Sequence, residues 1–340
     1  MSLKSKHNHY NVKLLRGYGV SISLKNSKII LKNGSHDVTG ESEKEEWFVK
    51  NMPYEKIILS GKGYVSTEAL SLLSENNRNV ILVDTYGKSV TYCNGMMDSL
   101  TGTKYRIAQY DTFRNKEKCD YLTKQILSAK KESQLKLFKM IGSKITELPE
   151  KENISAKIYW SEFAKFIPEK YGFNSRNQSF IRTSKNNATD IINALLNYGY
   201  SVLAGEISKF VGGFGLDPYF GFMHKSHTGF QPLVYDLIEP FRWLVDYSVF
   251  KIANHPNSRY RIKLKEYVHT REGKVVMDSQ LIRRFLEMLE RQFQQERKYD
   301  FRHGKKTKSG LKSVQEITIV KILVDNLSKY CMRNNINFTI

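Results

Sequence analysis

Residues 221–242 read GFMHKSHTGFQPLVYDLIEPFR, and they are the most informative stretch of the chain. Asp236 and Glu239 are three positions apart, so a helix places both carboxylates on one face. His224 comes from the glycine-containing turn that precedes this helix. One imidazole and two carboxylates in this order are a reasonable ligand set for a hard divalent metal.

The predicted helix around these acids is largely apolar. Its neighbouring residues are Leu233, Val234, Leu237, Ile238 and Phe241. Acids on such a helix need partners if they are buried. The alternative is that both acids are solvated and that Glu239 forms an ordinary surface pair with Arg242. Pro240 removes the amide that would bond to the Asp236 carbonyl, so we expect a kink there.

His224 and a further acid, Glu152, can each be explained without a ligand role. A histidine in aromatic surroundings, such as His224, is often a packed and hydrogen-bonded side chain. His227, three positions later, is a competing histidine. Glu152 begins the predicted helix ENISAKIYW, where a carboxylate complements the helix dipole without further function. Glu147 and Glu150 lie close enough to confuse the assignment.

Positive charge is concentrated in the last 240 residues. The chain has 340 residues, with 54 Lys and Arg against 34 Asp and Glu, a net charge of +20. Residues 1–100 hold 13 basic and 10 acidic residues, and residues 101–340 hold 41 and 24. This charge predicts a polyanionic partner, with nucleic acid ahead of an acidic membrane. The alternative is a charge that serves only solubility.

The first part of the chain is predicted to be mostly β. Short apolar or alternating runs predict strands at Val20–Leu24, Ile29–Leu31, Lys56–Leu59, Val80–Val83 and Ser89–Tyr92. Turn signals occur at Asn33–Gly34, Gly61–Gly63 and Tyr86–Gly87. One short helix is predicted at Glu68–Glu75, with Ser66 or Thr67 as its cap.

The rest of the chain has helical periodicity. The predicted helices are Tyr121–Met140, Ser155–Phe166, Ala188–Val211, Leu233–Ala253, Ser279–Lys298 and Ser313–Met332. A loosening of the chain near Asn94–Gly102 marks the boundary. We therefore predict an α+β protein with an N-terminal β-rich domain at residues 1–98 and a larger all-α domain at residues 99–340.

The remaining composition predicts a soluble cytoplasmic protein. The three cysteines, at Cys93, Cys119 and Cys331, show neither a disulfide pattern nor zinc-site spacing. We expect no signal peptide and no membrane span. Residues 302–312 are rich in Lys and Arg and lack acids, so Lys305, Lys306 and Lys308 are candidate phosphate contacts. A solvated loop is an equal alternative.

The order of these motifs resembles that of the CRISPR adaptation integrase family. In that family, a glutamate that begins an E-G-x-A-A-x-x-Y-F/W segment is the first metal ligand. Glu152 occupies the matching position, with Asn153 in place of the usual glycine and Ser155 in place of the first alanine. The departures weaken this local match but leave the ligand itself in place.

The later motifs match the family more closely. The resemblance implies that His224, in the G-L-D-P…G-F-x-H turn, is the second ligand and that Glu239, in D-L-x-E-x-F-R, is a direct ligand. It implies that Asp236 lies beside the metal as an assisting acid. Tyr198 falls in a further recurring segment, most of which we expect to be helix packing, although Tyr198 could approach DNA. The segments Lys56–Gly61 and Val80–Gly87 resemble the family's β domain.

The resemblance implies a function as well as a fold. It implies a metal-dependent DNA endonuclease and integrase that uses Mn²⁺ or Mg²⁺ and joins spacer 3′-hydroxyls to the CRISPR repeat. Expected partners are double-stranded and branched DNA, a second copy through the β domain, and a smaller adaptation protein. Two alternatives stay open: a nuclease or resolvase of branched DNA in repair, and a non-catalytic nucleic-acid-binding scaffold.

Overall fold

The computed structural model describes residues 12–34, 44–54, 56–83, 89–93, 102–176, 188–224, 231–271, 273–300, 311–333 and 338. These residues form a six-stranded sheet with one helix, followed by a larger and mostly helical part. The predicted α+β class is thus observed. The predicted division between residues 98 and 99 falls outside the described residues and stays a prediction.

The N-terminal sheet is mixed. Its strands are β1 (Val12–Lys25), β2 (Lys28–Lys32), β3 (Lys44–Trp47), β4 (Lys56–Val65), β5 (Asn79–Val83) and β6 (Ser89–Cys93), in the spatial order β3-β2-β1-β4-β5-β6. β4 is parallel to both β1 and β5, and the other pairs are antiparallel. Helix α1 (Thr67–Glu75) connects β4 to β5. Of the two predicted caps, Ser66 is confirmed, because its hydroxyl accepts a hydrogen bond from the Ala69 amide.

The turn predicted at Gly61–Gly63 is wrong, because β4 continues through both glycines. A Cβ atom at Gly61 would lie 2.1 Å from the Gly17 carbonyl oxygen, and one at Gly63 would lie 1.7 Å from the Val20 carbonyl oxygen. Glycine is required at these positions because β1 and β4 approach each other closely where their register shifts. The glycines therefore mark a close contact between strands.

The helical part is built from eight helices among the described residues. They are α2 (Gly102–Arg114), α3 (Lys116–Ile141), α4 (Glu152–Lys165), α5 (Ile191–Gly213), α6 (Pro232–Ile238), α7 (Arg242–Ala253), α8 (Ser279–Gln294) and α9 (Glu316–Arg333). Single 3₁₀ turns occur at Glu169–Tyr171, Glu239–Phe241 and Leu264–Glu266. No helix within the described ranges has the length and apolar character needed to cross a bilayer.

The prediction that this part is all-α is wrong. It contains two antiparallel hairpins, β7 (Tyr267–His269) with β8 (Val275–Met277), and β9 (Glu296–Asp300) with β10 (Leu311–Gln315). The helix predicted to reach Lys298 ends at Gln294, since the following backbone pairs with β10. For the same reason the last helix begins at Glu316, three residues later than predicted.

The sheet and the helices share one hydrophobic core. Buried residues on one face of the sheet, including Leu14, Ile58 and Ile81, belong to the same apolar cluster as the residues of α5. The Lys56 ammonium is also buried between the two parts, 2.5 Å from Glu290 of α8 and 3.6 Å from Glu206 of α5. The opposite face of the sheet packs with α1 in a separate, smaller cluster.

Helix α5 is the centre of the helical part, since most of its residues are buried on all sides. Gly199 allows the neighbouring helices to approach it. A Cβ atom there would lie 2.4 Å from Val245 of α7 and 2.9 Å from the Phe285 ring of α8. By contrast, Gly212 of the same helix has no heavy atom within 4 Å of the Cβ position.

These two glycines provide a matched test of the packing. We expect Gly199→Ala to lower the free energy of unfolding by about 1–3 kcal/mol, because the added methyl overpacks the contact with α7 and α8. Gly212→Ala should leave stability unchanged or raise it by up to about 1 kcal/mol, because alanine favours the helix. Urea unfolding followed by circular dichroism measures both. Equal effects of the two substitutions would contradict the close packing at Gly199.

Candidate metal centre

The Asp236 carboxylate organises the turn that carries His224. Asp236 lies on α6 with no exposed surface. Its Oδ2 accepts hydrogen bonds from the amides of Phe222 at 2.7 Å and Met223 at 3.1 Å, and its Oδ1 accepts one from the His224 amide at 2.9 Å. A Cβ atom at Gly221 would lie 2.6 Å from Oδ2, so only glycine lets the turn wrap this closely. The chain around residues 221–224 is thus folded on a single buried carboxylate.

Asp236 also sets the state of the His224 ring. Its Oδ1 lies 2.7 Å from His224 Nδ1. Because an ionised carboxylate can only accept, the proton of a neutral imidazole belongs on Nδ1 and the lone pair on Nε2. This hydrogen bond raises the pKa of His224. The expected assisting acid is therefore placed to orient the histidine, and both of its oxygens already accept hydrogen bonds.

Glu239 is buried, with 4% of its surface exposed. Its Oε1 accepts a hydrogen bond from Arg242 Nε at 2.8 Å and lies 2.7 Å from Nη2. Its Oε2 lies 2.8 Å from Lys130 Nζ but accepts no well-aligned hydrogen bond. Burial alone would raise the pKa of Glu239, but Arg242 and Lys130 outweigh it and lower the pKa to about 2. The interpretation of Glu239 as a solvated surface acid is wrong.

The kink expected at Pro240 is observed as an interruption of the predicted helix Leu233–Ala253. α6 ends at Ile238, Glu239 begins a 3₁₀ turn, and α7 begins at Arg242. The proline ring cannot continue the hydrogen-bond ladder of an α-helix. The break brings Glu239 to the surface of α3, with which the 3₁₀ turn makes many of its contacts.

Lys130 connects Glu239 to Glu152. Glu152 is the first residue of α4, and its half-exposed side chain accepts a hydrogen bond from Lys130 Nζ at 2.9 Å. Burial would lower the pKa of Lys130, but Glu239 and Glu152 raise it. The sequence interpretation missed this residue. Its helical position was a weak indication. Lys130 lies four positions after Ile126 and four before Gln134, so it shares a helix face with these two buried residues.

The groups at this site suit a divalent cation, although they are not yet arranged around one. Within the described ranges, no three His, Cys, Asp or Glu side chains form a ready cluster. Glu239 nevertheless has a buried oxygen without an aligned hydrogen bond, and Glu152 shares its ammonium partner. His224 is near enough for its charge to interact with that of Glu239. Two carboxylates and an imidazole nitrogen could hold Mn²⁺ or Mg²⁺.

A buried polar network lies behind the site. Arg242 stacks on the Tyr200 ring, with the guanidinium carbon 4.6 Å from its centroid. Asp246, one helical turn after Arg242, accepts hydrogen bonds from Tyr200 and, at 2.6 Å, from Tyr159. Burial raises the pKa of Asp246 to about 6. This network fixes Arg242 and, through it, the carboxylate of Glu239.

The remaining predicted residues have different outcomes. Tyr198 is 1% exposed, so the expectation that it could approach DNA is wrong and its role is packing within the core around α5. Lys305, Lys306, Lys308 and His227 lie outside the described residues.

The fold and site define a basic α+β protein with an acid–histidine centre at a helix break. The family model for CRISPR associated protein Cas1 matches residues 14–151 and 136–291. The chain therefore belongs to the Cas1 family of CRISPR endonucleases and integrases, which confirms the family expected from the motifs.

Relatives of known name support this membership. The chain is 31% identical over 278 residues to the CRISPR-associated endonuclease Cas1 1 of Archaeoglobus fulgidus, a match that covers 70% of this chain and 77% of the relative. It is 30% identical over 275 residues to the CRISPR-associated protein Cas1 3 of Methanobrevibacter ruminantium, with 71% and 77% covered.

Solved structures share the fold. A casposase bound to its integration product superposes with a TM-score of 0.83 at 24% identity, covering 96% of this chain and 92% of that one. A Cas1 protein from Thermotoga maritima gives a TM-score of 0.71 at 17% identity, covering 96% and 98%. The N-terminal sheet followed by a mostly helical part is thus common to these proteins.

The role of Asp236 can be tested with Asp236→Asn. The NH₂ group of the new asparagine would face the backbone N–H groups that now donate to the carboxylate. We therefore expect the free energy of unfolding to fall by about 1–3 kcal/mol. The pKa of His224 should fall too, because the hydrogen bond that raises it is lost or weakened. Urea unfolding and NMR titration of the histidine C2 protons measure the two effects.

The control is Asp325→Asn on α9, an acid in a partly exposed ion pair with Lys329. It should change stability by less than about 1 kcal/mol. An unchanged His224 pKa in Asp236→Asn would contradict the assigned hydrogen bond.

Proposed function

We propose that the chain is a metal-dependent DNA endonuclease and integrase of CRISPR adaptation that acts in the cytoplasm. It joins the 3′-hydroxyls of spacer DNA to the CRISPR repeat by transesterification. The observation that carries this proposal is that Glu152 and Glu239 meet at one ammonium group. The turn held by Asp236, three residues before Glu239, carries His224. A relative named as a Cas1 endonuclease and the shared fold of a casposase bound to an integration product support it.

The chemistry of phosphodiester transfer matches these residues. A divalent metal bound here would supply positive charge to a non-bridging phosphate oxygen during the transfer. Glu152, Glu239 and Nε2 of His224 would hold it, and the imidazole favours Mn²⁺. Arg242 keeps Glu239 ionised inside the protein. Asp236 keeps the His224 proton on Nδ1 and so keeps the lone pair on Nε2.

The charge of the helical part supports DNA as the substrate. Residues 101–340 carry most of the net charge of +20, which suits the backbone of double-stranded or branched DNA. Lys305, Lys306 and Lys308 are proposed phosphate contacts, because they form an acid-free basic run.

The proposed assembly contains two copies of the chain, joined through the sheet domain, and a smaller adaptation protein. A Cas6-RT-Cas1–Cas2 complex contains a chain that superposes with a TM-score of 0.68 at 17% identity, covering 98% of this chain and 36% of that one. Cas2 is part of that complex, which supports a similar partner for this chain.

A strand-transfer assay tests the function. A labelled duplex with free 3′-hydroxyls is incubated with Mn²⁺ and a supercoiled plasmid that carries a CRISPR repeat, with and without the partner protein. We expect Glu239→Gln and Glu152→Gln each to reduce covalent joining by at least about a hundredfold, because a ligand to the metal is lost. Both variants should still bind DNA.

The matched control is Glu162→Gln, which changes a glutamate on the same helix as Glu152 that contacts Ser143 and Lys165 instead. Its joining activity should stay within about threefold of wild type once folding is verified. Cutting without joining would replace the proposal with a nuclease or resolvase. DNA binding with neither reaction, in wild type with partner and metal, would favour a scaffold.

The basic run can be tested through the salt dependence of DNA binding. Replacing Lys305, Lys306 and Lys308 with alanine removes up to three phosphate contacts. The slope of log K against log salt should then become shallower by up to about 0.9 per lost contact. Fluorescence anisotropy of a labelled duplex across a salt series measures this slope.

A control variant removes the same charge from the sheet domain, at Lys25, Lys32 and Lys50, which are exposed. Its slope should match that of wild type. If the two triple variants have the same slope, the basic run is not a phosphate contact.

A further inference from the structure

Lys130 occupies the position between the two carboxylates that a metal would need. Its Nζ atom lies 2.9 Å from Glu152 Oε1 and 2.8 Å from Glu239 Oε2, and its side chain is only 15% exposed. The three residues come from α3, from the first turn of α4 and from the 3₁₀ turn after α6. The Lys130 ammonium therefore links α3 to the other two segments. Among the described residues, its ion pairs are with these two glutamates.

Two carboxylates that contact the same ammonium group would repel each other without it. Glu239 is buried and the Glu152 side chain is half-exposed, so solvent screens only part of this repulsion. The Lys130 ammonium neutralises part of this charge: it donates a hydrogen bond to Glu152 and forms an ion pair with Glu239 Oε2. It therefore keeps the two acids near each other when no metal is bound.

A divalent cation would compete for the same atoms. Mn²⁺ or Mg²⁺ binds carboxylate oxygens at about 2.0–2.2 Å, and an ammonium group within about 3 Å of those oxygens would face strong repulsion from it. The available oxygen of Glu239 is Oε2, because Oε1 already bonds to Arg242. Oε2 is also the atom that Lys130 contacts. The ammonium must therefore move when the metal enters.

We propose that Lys130 is a positioning residue that serves as the built-in counter-ion of the metal-free site and is displaced by the divalent metal. This inference rests on the proposed function, because it needs a metal at Glu152 and Glu239. The flexible four-carbon side chain of Lys130 lets the ammonium leave while the Lys130 backbone stays fixed in α3. Lys130 thus keeps the ligands assembled and at the same time weakens the apparent metal affinity.

Metal binding by Lys130→Met tests the competition directly. Methionine keeps the length and apolar character of the side chain but removes the charge. We expect the Kd for Mn²⁺, measured from the EPR signal of free Mn²⁺, to fall by roughly tenfold or more, because a nearby competing charge is gone. Equal or weaker Mn²⁺ binding would overturn the proposal.

The matched control is Lys139→Met, the same change at an exposed position nine residues further along α3, roughly 13 Å away along its axis. Its Kd for Mn²⁺ should stay within about twofold of wild type. A similar gain in both variants would show a general effect of net charge and would also overturn the proposal.

A second measurement uses the wild-type protein and does not depend on the folding of any variant. Lysine side chains are reductively methylated with and without Mn²⁺, and modification at Lys130 and Lys139 is quantified by mass spectrometry. We expect Mn²⁺ to increase modification of Lys130 several-fold and to leave Lys139 unchanged. Modification of Lys130 that falls or does not change would contradict displacement.

Glu239→Gln distinguishes failure of the metal site from failure of Lys130 displacement. If wild type binds Mn²⁺ and Glu239→Gln does not, the metal site is supported, and the Lys130 results then test displacement alone. If wild type shows no Mn²⁺ binding that depends on Glu239, the metal site of the proposed function fails, and the displacement of Lys130 fails with it.

Discussion

The arrangement of the candidate metal centre depends on keeping the Glu239 carboxylate charged in a buried position. Removing a carboxylate from water costs several kcal/mol unless opposite charges replace the lost hydration. Arg242, at the start of α7, contacts Glu239 Oε1 through both Nε and Nη2, and Lys130 contacts Oε2 from the middle of α3. Because both cations must reach one acid, the break after α6 is held against α3. Glu152 joins the same group through Lys130, and the site forms where these segments meet.

Two acids on one helical stretch have different tasks because their surroundings differ. Asp236 faces the amides of the preceding turn and the ring of His224, and these donors engage both of its oxygens. Glu239 faces the ammonium of Lys130 and the guanidinium of Arg242, and its Oε2 accepts no aligned hydrogen bond. The first acid therefore builds the turn and sets the state of the histidine. We propose that the second acid, Glu239, exchanges its Lys130 partner for a metal ion.

Short-range spacing predicted the local backbone of this segment. A helix that carries Asp236 and is distorted at Pro240 follows from helix geometry alone, and the structure agrees. Contacts between distant segments could not be predicted in this way. Lys130 lies 109 positions before Glu239, and nothing local marks it as a partner except its place on a buried helical face. The pairing of β9 with β10 was also hidden, since helical periodicity continues past the true helix end.

We propose that Glu152, His224 and Glu239 bind one divalent metal ion. Anomalous X-ray diffraction from crystals grown with Mn²⁺ tests this site, because it locates manganese without reference to activity. We expect one strong anomalous peak, with carboxylate oxygens of Glu152 and Glu239 and Nε2 of His224 as protein ligands. No peak at this position in crystals that bind Mn²⁺ elsewhere would contradict it.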